Sequence, residues 1–234
     1  MSARRKTDHD RVAREAYQQL AEAADEFEQY ANPHAVRIAV IADKIAETFH
    51  MAPQDRKSLR IAARMHDLGE VVMERDYLKR AGSLTDEERI DLERHPVIGE
   101  QEAARANADR AAQLLVRWHH EWWNGSGYPD ALRQFEIPLG ARILRVADSY
   151  ASLTDARPYR PAMSADAARG LIIERAGIEF DPTVVTALLS LEEMEELRSF
   201  AKPQEPEAEP TDKQAEELPK PADDNFTLFS SFMK

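Results

Sequence analysis

The stretch Arg56-Lys57-Ser58-Leu59-Arg60-Ile61-Ala62-Ala63-Arg64-Met65-His66-Asp67-Leu68-Gly69 reads as one helix that delivers a His-Asp pair near its C-terminal end and stops at glycine. Adjacent helical positions point about 100° apart, so His66 and Asp67 can flank a single centre. The pattern around it is of the same kind. Gly is sparse, 8 of 234 residues, and apolar residues recur at three- and four-residue steps in most segments, which is helical rather than strand periodicity. The expected fold class is all-α.

Toward the N-terminus, Asn32 can cap a helix with Pro33 in its first position, and Ile38, Ile41, Ile45 and Phe49 then share one face. His34 falls in the first turn of that helix. Toward the C-terminus, Thr85 and Glu88 form a capping-box signature, and the helix they open is expected to carry His95 at its end, before Pro96. A helix of about 107–123 would end in the pair His119-His120, with Trp118 and Trp122 on one face and most of the tryptophans in the core. Pro138 opens a helix to about Thr154 that presents Asp148. Ser164 can cap the next, ending at Gly177, and Asp181-Pro182 can start a last one to about Phe200.

Five of the seven histidines, His34, His66, His95, His119 and His120, are interleaved with Asp67 and Asp148 at these helix positions, whereas His9 and His50 lack such company. Neutral imidazole and carboxylate are the donors that hold iron, manganese or zinc. There is no cysteine, so disulfides and thiolate ligation are excluded. A hydrophobic content of 43% supports a substantial core, and a net charge of −12 argues against a phosphate-tracking surface for a nucleic acid polymer. No run of about twenty apolar residues suggests a membrane span, so a cytoplasmic protein is expected.

The motifs Arg64-Met65-His66-Asp67-Leu68-Gly69, His95-Pro96-Val97-Ile98-Gly99 and His119-His120-Glu121-Trp122-Trp123-Asn124-Gly125-Ser126-Gly127-Tyr128-Pro129 resemble the HD-GYP branch of the HD phosphohydrolase superfamily. Val146-Ala147-Asp148-Ser149-Tyr150 and Arg157-Pro158-Tyr159-Arg160 continue the likeness, which covers about 30–191. The resemblance implies an HD-type helical bundle extended by the C-terminal helices of that branch, and two divalent metal ions, iron or manganese with zinc as a further option. Asp67 would bridge them, with His34, His66 and Asp148 on one and His95, His119 and His120 on the other. Some relatives hold a third metal through a glutamate one turn before the first histidine, where this chain has Tyr30. The implied reaction is opening of cyclic di-GMP, or of a related phosphorylated small molecule, by attack of metal-activated hydroxide.

Asp67 and Glu70 are the candidate catalytic carboxylates. Gly127, Tyr128 and Pro129 are candidate substrate contacts, through close backbone approach and a stacking face, and Arg157 and Arg160 through bidentate recognition of phosphate oxygens. Two positions depart from the pattern: relatives usually carry lysine where this chain has Glu70, and aspartate where it has Ala151. Glu70 makes a second function class worth carrying, a catalytically impaired nucleotide-binding or signalling module acting through partner proteins.

The expected organisation is a helical lead-in (1–29), the phosphohydrolase domain (30–200), a disordered Pro/Glu-rich acidic linker (201–224) and an apolar segment (225–234). Phe226, Leu228, Phe229, Phe232 and Met233 make that last segment a candidate docking element for a protein partner.

Overall fold

A computed structural model of the chain describes residues 17–27, 29–30, 33–79, 82–157 and 160–191. The expectations for Asn32, for the Pro-Tyr of the Arg157–Arg160 motif and for 201–234 lie outside the described residues. Those residues are helical, without a strand among them: α1 is described over 17–27, followed by α2 (His34–Thr48), α3 (Pro53–Met65), α4 (Leu68–Met73), α5 (Asp86–Leu92) and α6 (His95–Arg105). Then come α7 (Arg110–Trp118), α8 (Leu139–Thr154), α9 (Ala165–Glu174) and α10 (Pro182–Ser190). No helix among the described residues is long and apolar enough to cross a membrane.

The centre of the bundle is α8, in which every residue from Ile143 to Thr154 is buried. A helix covered on all sides must satisfy its polar groups internally, so Arg145, Asp148, Ser149 and Ser152 on this element mark a polar site inside the core. Around it pack α2, α3, α7, α9 and α10. The Ile38, Ile41 and Ile45 stripe of α2 is fully buried as its spacing predicts, each side chain being worth about 1.5–3 kcal/mol of burial. Asp25 of α1 accepts a hydrogen bond from the Ala35 backbone N at 3.0 Å, which ties the lead-in to the start of α2. The capping box of Thr85 and Glu88 is formed, and Ser164 and Asp181 cap α9 and α10.

Several helix boundaries differ from the sequence reading, and those at α3, α6 and α7 place candidate donors. The first quoted helix stops at Met65, and His66-Asp67 form a turn before α4 begins. Gly69 lies inside α4, so it is not a stop. A Cβ there would sit 2.0 Å from the His95 carbonyl oxygen, and glycine is what lets α4 and α6 approach. His95 opens α6 and does not close α5, because Pro96, lacking an N–H, suits the first turn of a helix. Helix α7 ends at Trp118, short of Trp123, as the chain turns away and the N–H groups of Trp123 and Asn124 donate to the carbonyls of Glu179 and Ile178 at 3.0 and 2.9 Å. Trp118 and Trp122 therefore do not share a helical face: Trp118 Nε1 donates to Asp130, and Trp122 lies under the Arg175 guanidinium. Helix α9 ends at Glu174, before Gly177, and α10 is described only to Ser190.

Candidate metal centre

The seven donors arrive from helix ends and one helix middle. His34 is the first residue of α2, His66 and Asp67 occupy the turn between α3 and α4, and His95 is the first residue of α6. His119 and His120 follow α7, and Asp148 lies midway along α8. All seven are buried. They form two groups, Asp67 with His95, His119 and His120, and His34 with His66 and Asp148, each with one candidate ligand atom per residue lying within 4.8 Å of the others. His50 is exposed, apart from both.

Asp67 faces both groups. Its Oδ2 lies 2.7 Å from His66 Nε2, while its Oδ1 lies 3.5 Å from His95 Nε2 and 3.6 Å from His119 Nε2. Asp148 Oδ1 is 3.6 Å from His66 Nε2 and 3.8 Å from His34 Nε2.

The ring orientations test whether this set fits a cation. Three rings pair Nδ1 with a backbone carbonyl: His66 with Ala63 at 3.1 Å, His95 with Leu92 at 2.8 Å and His119 with Val116 at 2.6 Å. His34 Nδ1 pairs with the Asp155 carboxylate at 2.7 Å. An Nδ1 that donates leaves the neutral ring with a bare Nε2 lone pair, and in all four rings it is Nε2 that faces the shared interior. The Nε2 atoms of His95 and His119 stand only 3.3 Å apart. His66 Nε2 is buried without a hydrogen-bond partner although Asp67 Oδ2 is so near. Lone pairs and carboxylates turned on one another need a positive charge between them, and imidazole with carboxylate is a donor set for a divalent metal.

The electrostatics agree. Burial opposes the charge of Asp67 and Asp148, yet the neighbouring histidines outweigh it and hold both carboxyls well below the usual range. Burial likewise opposes a charged His66, but Asp67 and Asp148 overcome it and raise that ring's pKa well above its ordinary value. His95, chiefly through burial, is pushed down to about 3, and burial with the neighbouring His119 and Arg145 charges keeps His120 low as well.

His120 is the exception among the rings. Its Nδ1 faces a donor, Arg145 Nη1, at 3.0 Å, and its ring stacks on Tyr128 with centroids 4.8 Å apart. The Tyr128 loop is held by Glu121, whose two oxygens accept from the N–H groups of Asp130 and Leu132 at 2.7 and 2.9 Å. Gly127 is required there, since a Cβ would lie 2.2 Å from Trp122 N. Burial above all, against the opposing pull of Arg145, raises the Tyr128 pKa, so its phenol remains a proton donor. Tyr128 and Pro129 also line a cleft of about 490 Å³ with Ile90, Glu93, Arg94 and Val97 among its other walls.

The remaining expected residues are placed as follows. Glu70 is partly exposed on α4, outside both donor groups. Arg157 and Arg160 are buried: Arg157 lies over the Tyr30 ring at 4.1 Å and donates to its hydroxyl, and Arg160 donates to the Ser152 carbonyl. Tyr30 in turn stacks on His34 with centroids 3.6 Å apart. The sequence reading missed Asp155, Arg145, Glu179 and Glu121. Arg145 precedes Asp148 by three positions on α8, a spacing that could have flagged it; nothing local marks Asp155.

Fold and site together define the class: an all-helical domain around two buried His/Asp groups that share one carboxylate. A family profile described as HD domain matches residues 18–184, and the chain belongs to that family, as its motifs implied. The cyclic di-GMP phosphodiesterase response regulator RpfG of Xanthomonas campestris pv. campestris is 36% identical over 179 residues, 75% of this chain and 47% of the relative. A cyclic di-GMP phosphodiesterase of Vibrio cholerae is 36% identical over 189 residues, 74% of this chain and 38% of the relative. The chain thus spans less than half the length of either relative. The crystal structure of a cyclic GMP-AMP specific phosphodiesterase of Vibrio cholerae, V-cGAP3, shares the fold with a TM-score of 0.64 at 18% identity, over 80% of this chain and 51% of that one.

Proposed function

We propose that this chain is a divalent-metal phosphodiesterase that opens cyclic di-GMP, to the linear dinucleotide or onward to GMP. The observation that carries it is the placement of Asp67, with one oxygen toward His66 and the other toward His95 and His119. Relatives named for that activity, at 36% identity, support the substrate class.

In this reading His34, His66, Asp148 and Asp67 Oδ2 would hold one metal, and His95, His119, His120 and Asp67 Oδ1 a second, with iron or manganese favoured and zinc also compatible with the donors. When bound, such metals supply the positive charge that neutralises phosphate oxygens and the acidity that turns water into a nucleophile at neutral pH. The protein contributes orientation. Nδ1 anchors fix four rings, the Glu121 clamp holds Tyr128 against His120, and the Tyr128 hydroxyl is a protonated donor beside the donor groups. Arg157 and Arg160, packed beside Tyr30 and Ser152, would add cationic charge for the phosphates.

The test is turnover of cyclic di-GMP by the manganese- or iron-loaded chain, with metal content measured alongside. Asp67→Ala and His66→Ala should abolish turnover and metal retention, and undiminished hydrolysis by either variant sinks the mechanism. Glu70 favours one second reading, a binding module with little hydrolysis, because it places a partly exposed carboxylate whose charge is felt at Tyr128. Tight binding of the dinucleotide by metal-loaded protein without product would establish that reading instead.

A further inference from the structure

The two donor groups are chemically unequal, and we infer that the position framed by His34, His66 and Asp148 binds its divalent cation more tightly and fills first, with Asp155 as a positioning residue that enlarges the difference. This rests on the metal-centre reading above.

Three contrasts carry it. The first is what stands behind each ring. His66, His95 and His119 lean on neutral backbone carbonyls, whereas His34 leans on the Asp155 carboxylate at 2.7 Å. A carboxylate behind an imidazole fixes its tautomer and makes the opposite nitrogen a stronger electron-pair donor. Asp155 is itself locked, because its Oδ1 takes Arg37 Nη1 at 2.6 Å while Arg37 also donates to Thr154 Oγ1 at 2.6 Å and to the Ala151 carbonyl at 3.2 Å. Arg37 and Asp155 are both buried, so water does not compete for these bonds.

The second contrast is the count of anions. Asp148 Oδ1 and Asp67 Oδ2 both border the first position, while Asp67 Oδ1 alone borders the second. The third is His120. Its Nδ1 accepts from Arg145, so the neutral ring carries its proton on Nε2 and must break that bond or turn before it offers a lone pair. Arg145 cannot leave easily, since its other nitrogen is paired with the buried Glu179. Arg145 also lies 3.7 Å from Asp148, but at Oδ2, the oxygen turned away from His34 and His66.

The experiment gives chelator-treated full-length protein one equivalent of Mn²⁺ and measures manganese occupancy at both positions by anomalous scattering, with calorimetry for the binding steps. The wild type should show a ratio of about ten to one or more in favour of the His34 position, as expected where a residue behind a ligand is worth about 10–100-fold in metal affinity. Asp155→Asn, which keeps the shape and removes the charge, should lower that ratio by about tenfold, leaving the part of the preference that the anion count and His120 supply. A merely structural role for Asp155 would weaken both positions alike and leave the ratio unchanged, which would overturn the assignment. Even occupancy in the wild type would overturn it without the variant, so the inference stays testable if Asp155→Asn does not fold. A wild type that binds no manganese, iron or zinc at all would overturn the metal centre itself, a different failure from even occupancy of two bound ions.

Discussion

Gly69→Ala is expected to damage the centre without touching a donor. The added Cβ would lie 2.0 Å from the His95 carbonyl oxygen, 2.8 Å from His95 C and 2.9 Å from Gly99 N. All three are backbone atoms at the start of α6, so no flexible side chain can swing aside. Ordinary contact begins at 3.4 Å, so α4 and α6 must separate by over 1 Å at this point. Overpacking of this kind costs about 1–3 kcal/mol, which in a chain of this size lowers the melting temperature by about 2–12 °C. The same displacement moves His95 away from Asp67 Oδ1, now 3.5 Å distant. A misplacement of about 1 Å can cost on the order of 100-fold in rate. The assay is a thermal melt with and without Mn²⁺, alongside cyclic di-GMP turnover. A variant that melts with the wild type, gains as much stability from manganese and turns over normally would refute the close α4–α6 contact as the element that sets His95.

Three further outcomes are expected. Glu70→Lys exchanges an anion for a cation near Tyr128, and because the side chain is partly exposed its charge is screened; the KM for cyclic di-GMP should fall by about tenfold, and an unchanged KM would show that Glu70 does not face the substrate. Against the opposing effect of burial, the carboxylates of Asp67 and Asp148 raise the His66 pKa above its ordinary value, so a metal must compete with a proton for that ring over a wider pH range. Apparent affinity for Mn²⁺ should therefore rise with pH and level off above the raised pKa, with proton release seen as a buffer-dependent binding enthalpy; a pH-independent affinity would contradict it. Glu121→Gln leaves one of the two clamped N–H groups, Asp130 or Leu132, facing an amide donor, at a cost of about 1–3 kcal/mol. It should lower both the melting temperature and kcat, with metal content unchanged; loss of metal would instead place Glu121 among the supports of the ligands.

The candidate donors were legible because their chemistry is local: a histidine or aspartate is a potential ligand wherever the fold puts it, and six of them at helix edges with Asp148 inside a helix, in one order, left few alternatives. Helix identity was legible for the same reason, from spacing and caps such as Thr85 with Glu88. Boundaries near the site were less so. Pro96 and Gly69 each admit two readings, as a stop or as a first-turn residue and a close-packing residue, and only the approach of α4 to α6 distinguishes them.

By itself, then, the chain's order of residues determined an all-helical domain, its capped elements and the kinds of atom that meet in its interior, since these follow from periodicity, propensity and side-chain chemistry. Tertiary structure alone decided which oxygen of Asp67 faces which histidines, that His34 rests on Asp155 and that His120 meets Arg145. Those pairs join residues 25 to 121 positions apart, or turn on a rotamer. No local preference specifies such contacts; they exist because packing around α8 brings buried polar groups from separate elements within bonding distance.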